Sequence, residues 1–424
     1  MVREMKHTEI GDIPVDWELQ TFEETFRVLS NNTLSRDNLN NRDGAVRNIH
    51  YGDILTKFPE VLDCREEDIP YINDLSLLTS STQLLQDGDI VIADTAEDDA
   101  VGKVTEIQNL KNGKLVAGLH TIPCRVKKGM FSPGWLGYYM NSHIYHDQVL
   151  PFVTGIKVSS VSKSAISETW IAIPPIEEQI AIVASLKEID AVISASQKLV
   201  SKKKEIKLGL LQTLLSPDYK LEGFSQTWIT DSLLNVSTKI GVGLATSVTE
   251  HYRSSGVPIF RNLNIKENFL DDEDILFLDE GFAAKNPSKV IHTGDVLTVH
   301  TGYVGTSCVV PEKYDGAMTF TTLITSTKKN ILLPEYLAYH LNSPYGHKEV
   351  ENLQASGGRN NLNVSDFEQY TICFPKDISE QRAIISILED ADKDIAMQIR
   401  KLDKQIYIKS GMINELISGK KRLL

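Results

Sequence analysis

The sequence has little of what membrane proteins, disulfide-rich proteins and zinc proteins need. Its 424 residues include four scattered cysteines, and no two of them form a CxxC pair. Neither a zinc site nor a disulfide scaffold is therefore expected, and a reduced, cytoplasmic protein is the simplest interpretation. No apolar run approaches the ~18 residues of a membrane span. The opening MVREMKHTEIGDIPVDW also lacks the apolar core of a secretory signal.

Signatures of nucleotide-binding and methyltransferase enzymes are missing as well. The chain has no GxxxxGK[ST] phosphate loop, and GVGLAT at Gly241 lacks the third glycine of a dinucleotide-binding turn. It has no Asn/Asp-Pro-Pro-aromatic motif of an adenine methyltransferase. The acidic run at 271–274 could bind a cation, but a solvated loop is the commoner fate of such a run. We therefore expect a non-catalytic chain that binds no metal.

An excess of positive charge is also absent. The net charge is −13. Residues 1–173 carry −9 and residues 217–375 carry −7, whereas residues 174–216 and 376–424 carry +1 and +2. Because nucleic-acid binders are usually basic where they bind, this balance counts against that function. It leaves room for a local basic cleft on an acidic body.

The strongest positive feature is an internal repeat. The stretch PPIEEQIAIVASL (Pro174–Leu186) returns as FPKDISEQRAIISIL (Phe374–Leu388), with its Glu-Gln pair displaced by 202 residues. Two further pairs keep the same order: GDIVIADT (Gly88–Thr95) with GDVLTVHT (Gly294–Thr301), and WLGYYMNS (Trp135–Ser142) with YLAYHLNS (Tyr336–Ser343). The repeat predicts two halves, each a globular domain followed by one long helix. The predicted boundaries are 1–173, 174–216, 217–375 and 376–424.

Each globular domain is predicted to be mixed α and β. The two Gly-Asp stretches indicate short strands after a turn. The stretches SPGWLGYYMNSHIYHDQVL and LPEYLAYHLNSPYGHKEV each predict one helix with a proline near its start. The stretches TWIAIP and QYTICFP predict strands that close each domain.

The two long helices carry matching apolar stripes. Proline and acidic residues open the first helix, and DISE predicts a capping box between Asp377 and Glu380 at the start of the second. Gly419 is the predicted C-terminal stop of the second helix. Apolar residues at steps of four and three form what we call the seam: Ile182, Leu186, Ile189, Ile193, Val200, Leu210 and Leu214 in the first helix, and Ile384, Leu388, Ala391, Ile395, Leu402, Met412 and Leu416 in the second. Polar residues interrupt both stripes at equivalent places: Ser196, Lys203 and Lys207, and Gln398, Gln405 and Lys409.

A helix of about 40 residues, some 60 Å long, needs a partner for such a stripe. The other helix of the same chain is the nearest candidate. We predict an antiparallel coiled coil, with the globular domains at its opposite ends. The alternative is that each helix packs only on its own globular domain.

The chain resembles the specificity subunits of type I restriction–modification systems. The resemblance is carried by IGDIPVDWELQTF, by PPIEEQIAIVASL, by the linker DYKLEGFSQTW, by SGGRNNLNVSDFEQYTICFPKDISEQRAIISIL and by the terminal LISGKKRLL, and it covers essentially the whole chain. KDISEQ lacks the second proline of PPIEEQ, which is a small departure. The resemblance implies two target recognition domains, each of which recognises one half of a bipartite, asymmetric site on double-stranded DNA.

The resemblance also implies partners. The long helices would set the spacing between the half-sites and dock two methyltransferase (modification) subunits, to which restriction subunits can add. S-adenosylmethionine is expected on those methyltransferase subunits, and no cofactor is expected on this chain. No membrane role is implied.

Loops before each long helix and near strand ends are the candidate DNA contacts. Arginine can bind guanine and asparagine can bind adenine, while glycine lets the backbone approach phosphate. The candidates in the first half are Arg47, His50, Tyr51, Lys157, Ser159, Ser160 and Lys163, and those in the second half are Arg261, Asn262, Asn264, Tyr303, Arg359, Asn360, Asn361 and Asn363. The alternative for each loop is a solvated turn.

Two other functions stay open at this level. The acidic charge favours a two-headed scaffold that binds two proteins and no DNA. A hydrolase concealed in the globular domains is disfavoured by the missing motifs.

Overall fold

The computed structural model describes residues 4–155, 157–224, 228–357 and 361–423. The chain forms two compact units. Unit 1 comprises residues 1–196 and 401–424, and unit 2 comprises residues 197–400. The boundaries between the compact units therefore fall near the middle of each long helix. The predicted division at residues 173, 216 and 375 stays a prediction.

Fifteen strands and six helices begin among the described residues of unit 1, and the last of these helices continues into unit 2. The strands are β1 (Met5–Thr8), β2 (Gly11–Pro14), β3 (Glu18–Thr21), β4 (Phe26–Val28), β5 (Leu39–Asn40), β6 (Arg47–Ile49), β7 (Val61–Asp63), β8 (Tyr71–Ile72), β9 (Ile90–Ala93), β10 (Thr95–Ala96), β11 (Val104–Gln108), β12 (Leu115–Ala117), β13 (Thr121–Val126), β14 (Ser159–Ser160) and β15 (Trp170–Ile173). The helices are α1 (Phe22–Thr25), α2 (Tyr51–Thr56), α3 (Trp135–Met140), α4 (His143–Val149), α5 (Lys163–Ser167) and α6 (Ile176–Leu214).

Two larger sheets organise unit 1. One has the order β4-β13-β9-β11-β7 and is antiparallel except for β11 and β7. The other has the order β12-β6-β8-β5. The closing strand β15 pairs antiparallel with β3, so the end of the globular part returns to its beginning just before α6.

Unit 2 repeats this plan. Its strands are β16 (Trp228–Ser232), β17 (Ser237–Val242), β18 (Tyr252–Arg253), β19 (Val257–Phe260), β20 (Ile265–Lys266), β21 (Phe269–Leu270), β22 (Leu276–Leu278), β23 (Val296–Val299), β24 (Ser307–Val309), β25 (Met318–Thr319), β26 (Thr322–Thr327) and β27 (Thr371–Pro375). Its helices are α7 (Leu233–Val236), α8 (Glu280–Ala284), α9 (Pro334–Leu341), α10 (Pro344–Gly357), α11 (Val364–Glu368) and α12 (Ile378–Leu416), the last of which continues into unit 1.

The strand orders of the two units correspond. The sheet β17-β26-β23-β24 matches β4-β13-β9-β11, and the closing pair β16-β27 matches β3-β15. The strands β9 and β23 follow the Gly-Asp turns, where Gly88 and Gly294 have φ of 83° and 85°. These left-handed conformations explain why glycine stands at both positions. The prediction of two pseudo-symmetric mixed α/β domains with a pair of long helices is confirmed.

Each predicted single helix after the sheet is in fact two helices. In unit 1 the side chain of Asn141 accepts from the backbone N–H of Val104 at 2.9 Å and donates to its carbonyl at 2.7 Å. In unit 2 Asn342 makes the same two contacts with Ser307, at 2.9 and 2.8 Å. Because the asparagine must face the sheet edge, the helix breaks there, between α3 and α4 and between α9 and α10.

A buried glutamine at the start of α6 joins three segments of unit 1. The Oε1 atom of Gln179 accepts from the N–H of Ser132 at 2.9 Å. Its Nε2 atom donates to the carbonyls of Met130, at 3.0 Å, and Pro174, at 2.9 Å. The glutamine thus fixes the loop before α3 to the end of the closing strand.

Gln381 does the same in unit 2. It accepts from the N–H of Leu333 at 2.9 Å and donates to the carbonyls of Ile331 and Pro375, each at 2.8 Å. The repeated glutamine is therefore a joint between a long helix and its globular part.

The neighbouring glutamates bind tryptophans. The indole Nε1–H of Trp17 donates to Glu178 at 3.0 Å, and that of Trp228 donates to Glu380 at 3.3 Å. The predicted capping box is wrong on this point. Asp377 does cap α12 by accepting from the backbone at residue 379, but Glu380 turns into the core towards the indole instead of back to the cap.

The long helices pack antiparallel in both units. In unit 1, Ile182 and Leu186 of α6 share a core with Leu416 of α12. In unit 2, Leu214 of α6 shares a core with Ile384 of α12. All apolar and polar seam residues are buried or half-buried. Each helix contacts both its partner and a globular part, so the two packing alternatives occur together.

The described part of the chain contains no helix that is long and apolar enough to cross a membrane.

Candidate nucleic-acid interface

The candidate stretches of unit 1 lie together. Strand β10 pairs with β14, placing Thr95 opposite Ser160. The ring of Tyr51 lies 5.2 Å from that of His120, edge to face, and the Oγ1 atom of Thr95 lies 3.3 Å from Nδ1 of His120. Residues from three distant parts of the sequence therefore form one polar surface.

His50 is held as a neutral imidazole on this surface. Its Nδ1 atom accepts from the backbone N–H of Gly52 at 3.2 Å, where it caps α2. Burial, with the guanidinium of Arg36 nearby, lowers the pKa of His50. Since Nδ1 is an acceptor, the ring carries its proton on Nε2, which becomes the hydrogen-bond donor that His50 offers.

An ion pair buttresses this histidine. Arg36 donates to both carboxylate oxygens of Asp53, each at 2.9 Å. Asp53 lies in the first turn of α2, the helix that begins directly after His50. Sequence reasoning missed Arg36, Thr95 and His120. Nothing local in the sequence marks them, because they join the surface only through strand pairing and tertiary contact.

The cations predicted in unit 1 differ in their availability. Arg47 donates to the carbonyl of Cys64 at 2.8 Å, so part of its guanidinium serves the fold. Lys157 and Lys163 are exposed. Ser159 and Ser160 are half-buried in β14. The two lysines are thus the better candidates for phosphate contacts. Arg47 could contact a base only if its side chain moved away from the carbonyl of Cys64.

The candidate stretches of unit 2 also meet. The amide of Asn262 donates to Oγ1 of Thr301 at 2.8 Å. The backbone N–H of Leu362 donates to the carbonyl of His300 at 3.1 Å. The loops at 261–264, 300–303 and 361–363 therefore share one surface, as their counterparts do in unit 1.

Two of the predicted contact residues in unit 2 make hydrogen bonds within the fold. Asn264 is buried and accepts from the N–H of Arg261 at 2.9 Å, which closes the turn after β19. Arg261 itself donates to the carbonyl of Asp274 at 3.0 Å. These contacts leave Asn264 without a face towards solvent. Its role in DNA contact stays a prediction that this burial disfavours.

Tyr303 is the most exposed aromatic residue of the described chain, with 90% of its surface open to solvent. It lines a cavity of about 740 Å³ together with Asn262, Lys266 and His347. The ring beside this cleft adds little to the stability of the fold, because almost none of its surface is buried. The lysine and the histidine of this cleft had no recognisable sequence signal.

The loop before α11 is only partly described. Asn361 is exposed, and Asn363 caps α11 and donates to Asp366 at 3.3 Å. Arg359 and Asn360 lie outside the described residues. All of these positions stay predictions.

Comparison with known proteins shows what the chain is similar to. Residues 238–406 match the family model of the type I restriction modification DNA specificity domain. A protein of Methanocaldococcus jannaschii, provisionally named the type I restriction enzyme MjaX specificity subunit, is 22% identical over 435 aligned positions, covering 99% of this chain and 96% of that protein. Residues in the second half of the chain thus match the DNA specificity domain of type I restriction–modification systems, and the chain as a whole is similar to a specificity subunit of such a system.

Other specificity subunits show the same likeness. The type I restriction enzyme EcoKI specificity subunit of Escherichia coli is 22% identical and aligns with 80% of this chain and 74% of its own length. The crystal structure of the S subunit from M. genitalium superposes with a TM-score of 0.54 at 13% identity, covering 98% of this chain and 99% of that one. A chain from a structural study of complex assembly in a type I R-M system reaches 0.58 at 16% identity, covering 96% and 99%. These structures share the fold of this chain.

Proposed function

We propose that this chain is the non-catalytic DNA-recognition and scaffold subunit of a type I restriction–modification complex. Each unit would bind one half of a bipartite, asymmetric DNA site, and the helix pair would set the gap between the halves. The observation that carries the proposal is the convergence, in both units, of loops from three distant parts of the sequence onto one polar surface.

The chemistry of these surfaces suits DNA. Unit 1 offers the exposed ammonium groups of Lys157 and Lys163, which suit phosphates. His50 is buried, which disfavours its Nε2–H donor as a DNA contact in the same way as the burial of Asn264. Unit 2 offers the open ring of Tyr303 and the exposed amide of Asn361. Few cations are free on either surface and the chain is acidic overall, so partner subunits would supply part of the phosphate contacts.

The partners follow from the same proposal. Two methyltransferase subunits would dock on the helix pair and carry S-adenosylmethionine, and restriction subunits could add to them. Methylation would require the target adenine to leave the base stack, which is the work of the methyltransferase. This chain would choose the site.

The test uses the full chain assembled with its methyltransferase subunits. A library of duplexes with randomised sequence is methylated and sequenced. We expect enrichment of one split motif with one fixed gap. The variant Lys157→Ala/Lys163→Ala should weaken binding to all duplexes and lower the salt slope by about 2. The variant Tyr303→Ala should weaken recognition of a single half-site by roughly tenfold.

Lys204→Ala, an exposed change on α6, is the matched control for the loss of a lysine. The absence of any enriched motif in the assembled complex would refute the proposal. If the complex instead retained other proteins and no duplex, the two-headed protein scaffold would be the better description.

A further inference from the structure

Two lysines of the helix seam carry charge where a coiled coil normally carries apolar groups. The side chains of Lys207 and Lys409 are 13% and 15% exposed. The positions are equivalent in the repeat, 202 residues apart. A charge held so far from water is costly unless partners satisfy it.

In unit 1 the partner set of Lys409 comes from three elements. Its Nζ atom lies 2.7 Å from Oδ1 of Asp190 in α6 and 2.8 Å from Oε1 of Glu60. The other oxygen of Asp190 accepts from the hydroxyl of Tyr138 in α3 at 2.5 Å. The ammonium also lies 5.7 Å from the centre of the Tyr138 ring.

Unit 2 builds the lysine–aspartate–tyrosine part of this set from equivalent residues. Lys207 forms an ion pair with Oδ1 of Asp392 in α12. The other oxygen of Asp392 accepts from the hydroxyl of Tyr339 in α9 at 2.8 Å. The ammonium lies 5.9 Å from the centre of the Tyr339 ring. Each triad therefore joins one long helix, the other long helix and the short helix of the globular part.

The protonation states are compatible with these contacts. Burial opposes the charge of Lys409, but Glu60 and Asp190 outweigh it and raise the lysine pKa. Burial, reinforced by the neighbouring aspartate in each case, raises the pKa of Tyr138 and Tyr339. Both phenols therefore remain hydrogen-bond donors to their aspartates at neutral pH.

The surrounding sequence penalises a different pairing of the helices. A slip of one heptad would place Ile385 or Ile399 where Asp392 now meets Lys207. In unit 1 it would replace Asp190 with Val183 or Gln197 opposite Lys409. The lysine would lose its carboxylate while staying buried. Polar residues at single seam positions are known to fix register in this way.

We propose that the triads Lys409–Asp190–Tyr138 and Lys207–Asp392–Tyr339 are the register lock of the helix pair, and that their two lysines are positioning residues for DNA recognition. The apolar residues of the seam supply attraction, but they recur at a regular spacing and so do not by themselves select one register. The triads make one register unique and tie it to the short helix of each globular part. The link to DNA rests on the proposed function, in which the helix pair sets the gap between half-sites.

The register itself is measured without DNA. A zero-length carbodiimide joins amines to carboxylates that touch them, and mass spectrometry identifies the pairs. Wild type should give Lys207 with Asp392 and Lys203 with Asp394, which form neighbouring ion pairs. In Lys207→Met, we expect Lys203 to become linked to carboxylates other than Asp394. The matched control Lys204→Met, on an exposed face, should keep the wild-type links.

The DNA arm uses the assembled methyltransferase complex on duplexes with gaps of varied length. The wild-type complex should methylate only duplexes with one gap length. The Lys207→Met complex should methylate duplexes with at least two gap lengths, and Lys207→Arg should restore the preference for a single length. The exchange Lys207→Asp/Asp392→Lys should also restore it, because the pair is kept with its charges reversed.

The outcomes are separable. A folded Lys207→Met protein that keeps both the Lys203–Asp394 link and the single gap would overturn the lock. If Lys207→Met does not fold, the variant Lys207→Asp/Asp392→Lys is the deciding test. A folded charge-exchange variant that loses the Lys203–Asp394 cross-link, or that methylates duplexes of several gap lengths, would also overturn the register lock. A wild-type complex that methylates no split site would refute the proposed function, while the cross-links would still judge the register.

Discussion

Unit 1 and unit 2 support the helix that follows the sheet by different means. In unit 1 the carboxylate of Glu106 accepts from the N–H groups of Gly134, at 2.6 Å, and Gly137, at 2.9 Å. Burial raises the pKa of this glutamate. In unit 2 the equivalent place on the strand is Val309, which has no carboxylate, and the positions of Gly134 and Gly137 are taken by Glu335 and Ala338 of α9. The buried acid of unit 1 therefore has no counterpart in unit 2.

A second difference concerns the glutamate that binds tryptophan. In unit 1 the guanidinium of Arg422 contacts Glu178 and donates to both oxygens of Asp16, at 2.9 and 2.8 Å. In unit 2 the position 202 residues earlier is Lys220, which is exposed. Burial raises the pKa of Glu380 there, although the indole hydrogen bond opposes the rise.

The two differences show which contacts the repeat preserves. Hydrogen bonds to backbone groups, made by the asparagines of the sheet edge and by the glutamines of the long helices, occur in both units. The charged contacts of Glu106 and Arg422, in contrast, occur in unit 1 alone among the described contacts. The backbone groups are present in any sequence with this fold, so the side chains that satisfy them cannot vary independently.

The largest effect is expected where the units agree. Gln179→Ala and Gln381→Ala each strip one buried N–H and two carbonyls of their partners. Each should cost about 3 kcal/mol of unfolding free energy in its own unit. Hydrogen exchange resolved by unit measures this loss. Gln212→Ala, on an exposed position of α6, is the control. Equal protection of both units in either glutamine variant would contradict the assigned role.

The next effect should distinguish the units. Arg422→Met removes the cation beside the buried Glu178 and should cost about 2 kcal/mol in unit 1. Lys220→Met, its counterpart in unit 2, should change stability by less than about 0.5 kcal/mol, because the lysine is exposed. Denaturant unfolding of the two variants checks the contrast. Equal losses would mean that Lys220 holds Glu380 as firmly as Arg422 holds Glu178.

A smaller, pH-dependent effect is expected from the histidine that replaces a tyrosine between the short helices. Burial lowers the pKa of His340 from 6.5 to about 4, whereas the equivalent Tyr139 does not titrate in that range. Between these two pH values His340 is protonated in the unfolded chain but stays neutral in the folded unit. Stability of unit 2 is therefore full above pH 6.5 and falls as the pH drops.

We expect unit 2 to lose roughly 2 kcal/mol from this group between pH 7.5 and pH 5. Hydrogen exchange of residues 334–341, compared with residues 135–140, reports the change. In His340→Gln the same acid step should have a much smaller effect on residues 334–341. An unchanged acid response in that variant would assign the sensitivity to another group.

Much of the fold could be predicted from the sequence because the internal repeat shows each main element twice. The Gly-Asp turns, the closing strands and the seam gave the elements of each half and the pairing of the long helices. The helix breaks at Asn141 and Asn342 could not be predicted, because an asparagine within a helical pattern does not reveal that its partner is a strand edge. The capping box failed for a similar reason, since Glu380 had a better partner in a distant indole.

The candidate interface was harder to predict than the fold. The sequence located its loops, but it gave Asn264 the same weight as Tyr303, although one is buried and the other open. Amide and guanidinium groups satisfy turns as readily as they bind bases, and only tertiary contacts separate the two uses. The register lock was invisible for the same reason: Lys207 and Lys409 look like interruptions of the seam until their aspartates and tyrosines are in place.

The division of the long helices between the units has a consequence for biosynthesis. Unit 2 is built from the continuous stretch 197–400, whereas unit 1 also needs residues 401–424. The contact of Glu60 with Lys409 spans 349 positions. On the ribosome, the second unit can therefore finish folding before the first one, although its residues are made later. Until residues 401–424 have been synthesised, the apolar face of α6 around Ile182 and Leu186 lacks its packing partner Leu416. That face is then accessible to chaperones and to neighbouring chains.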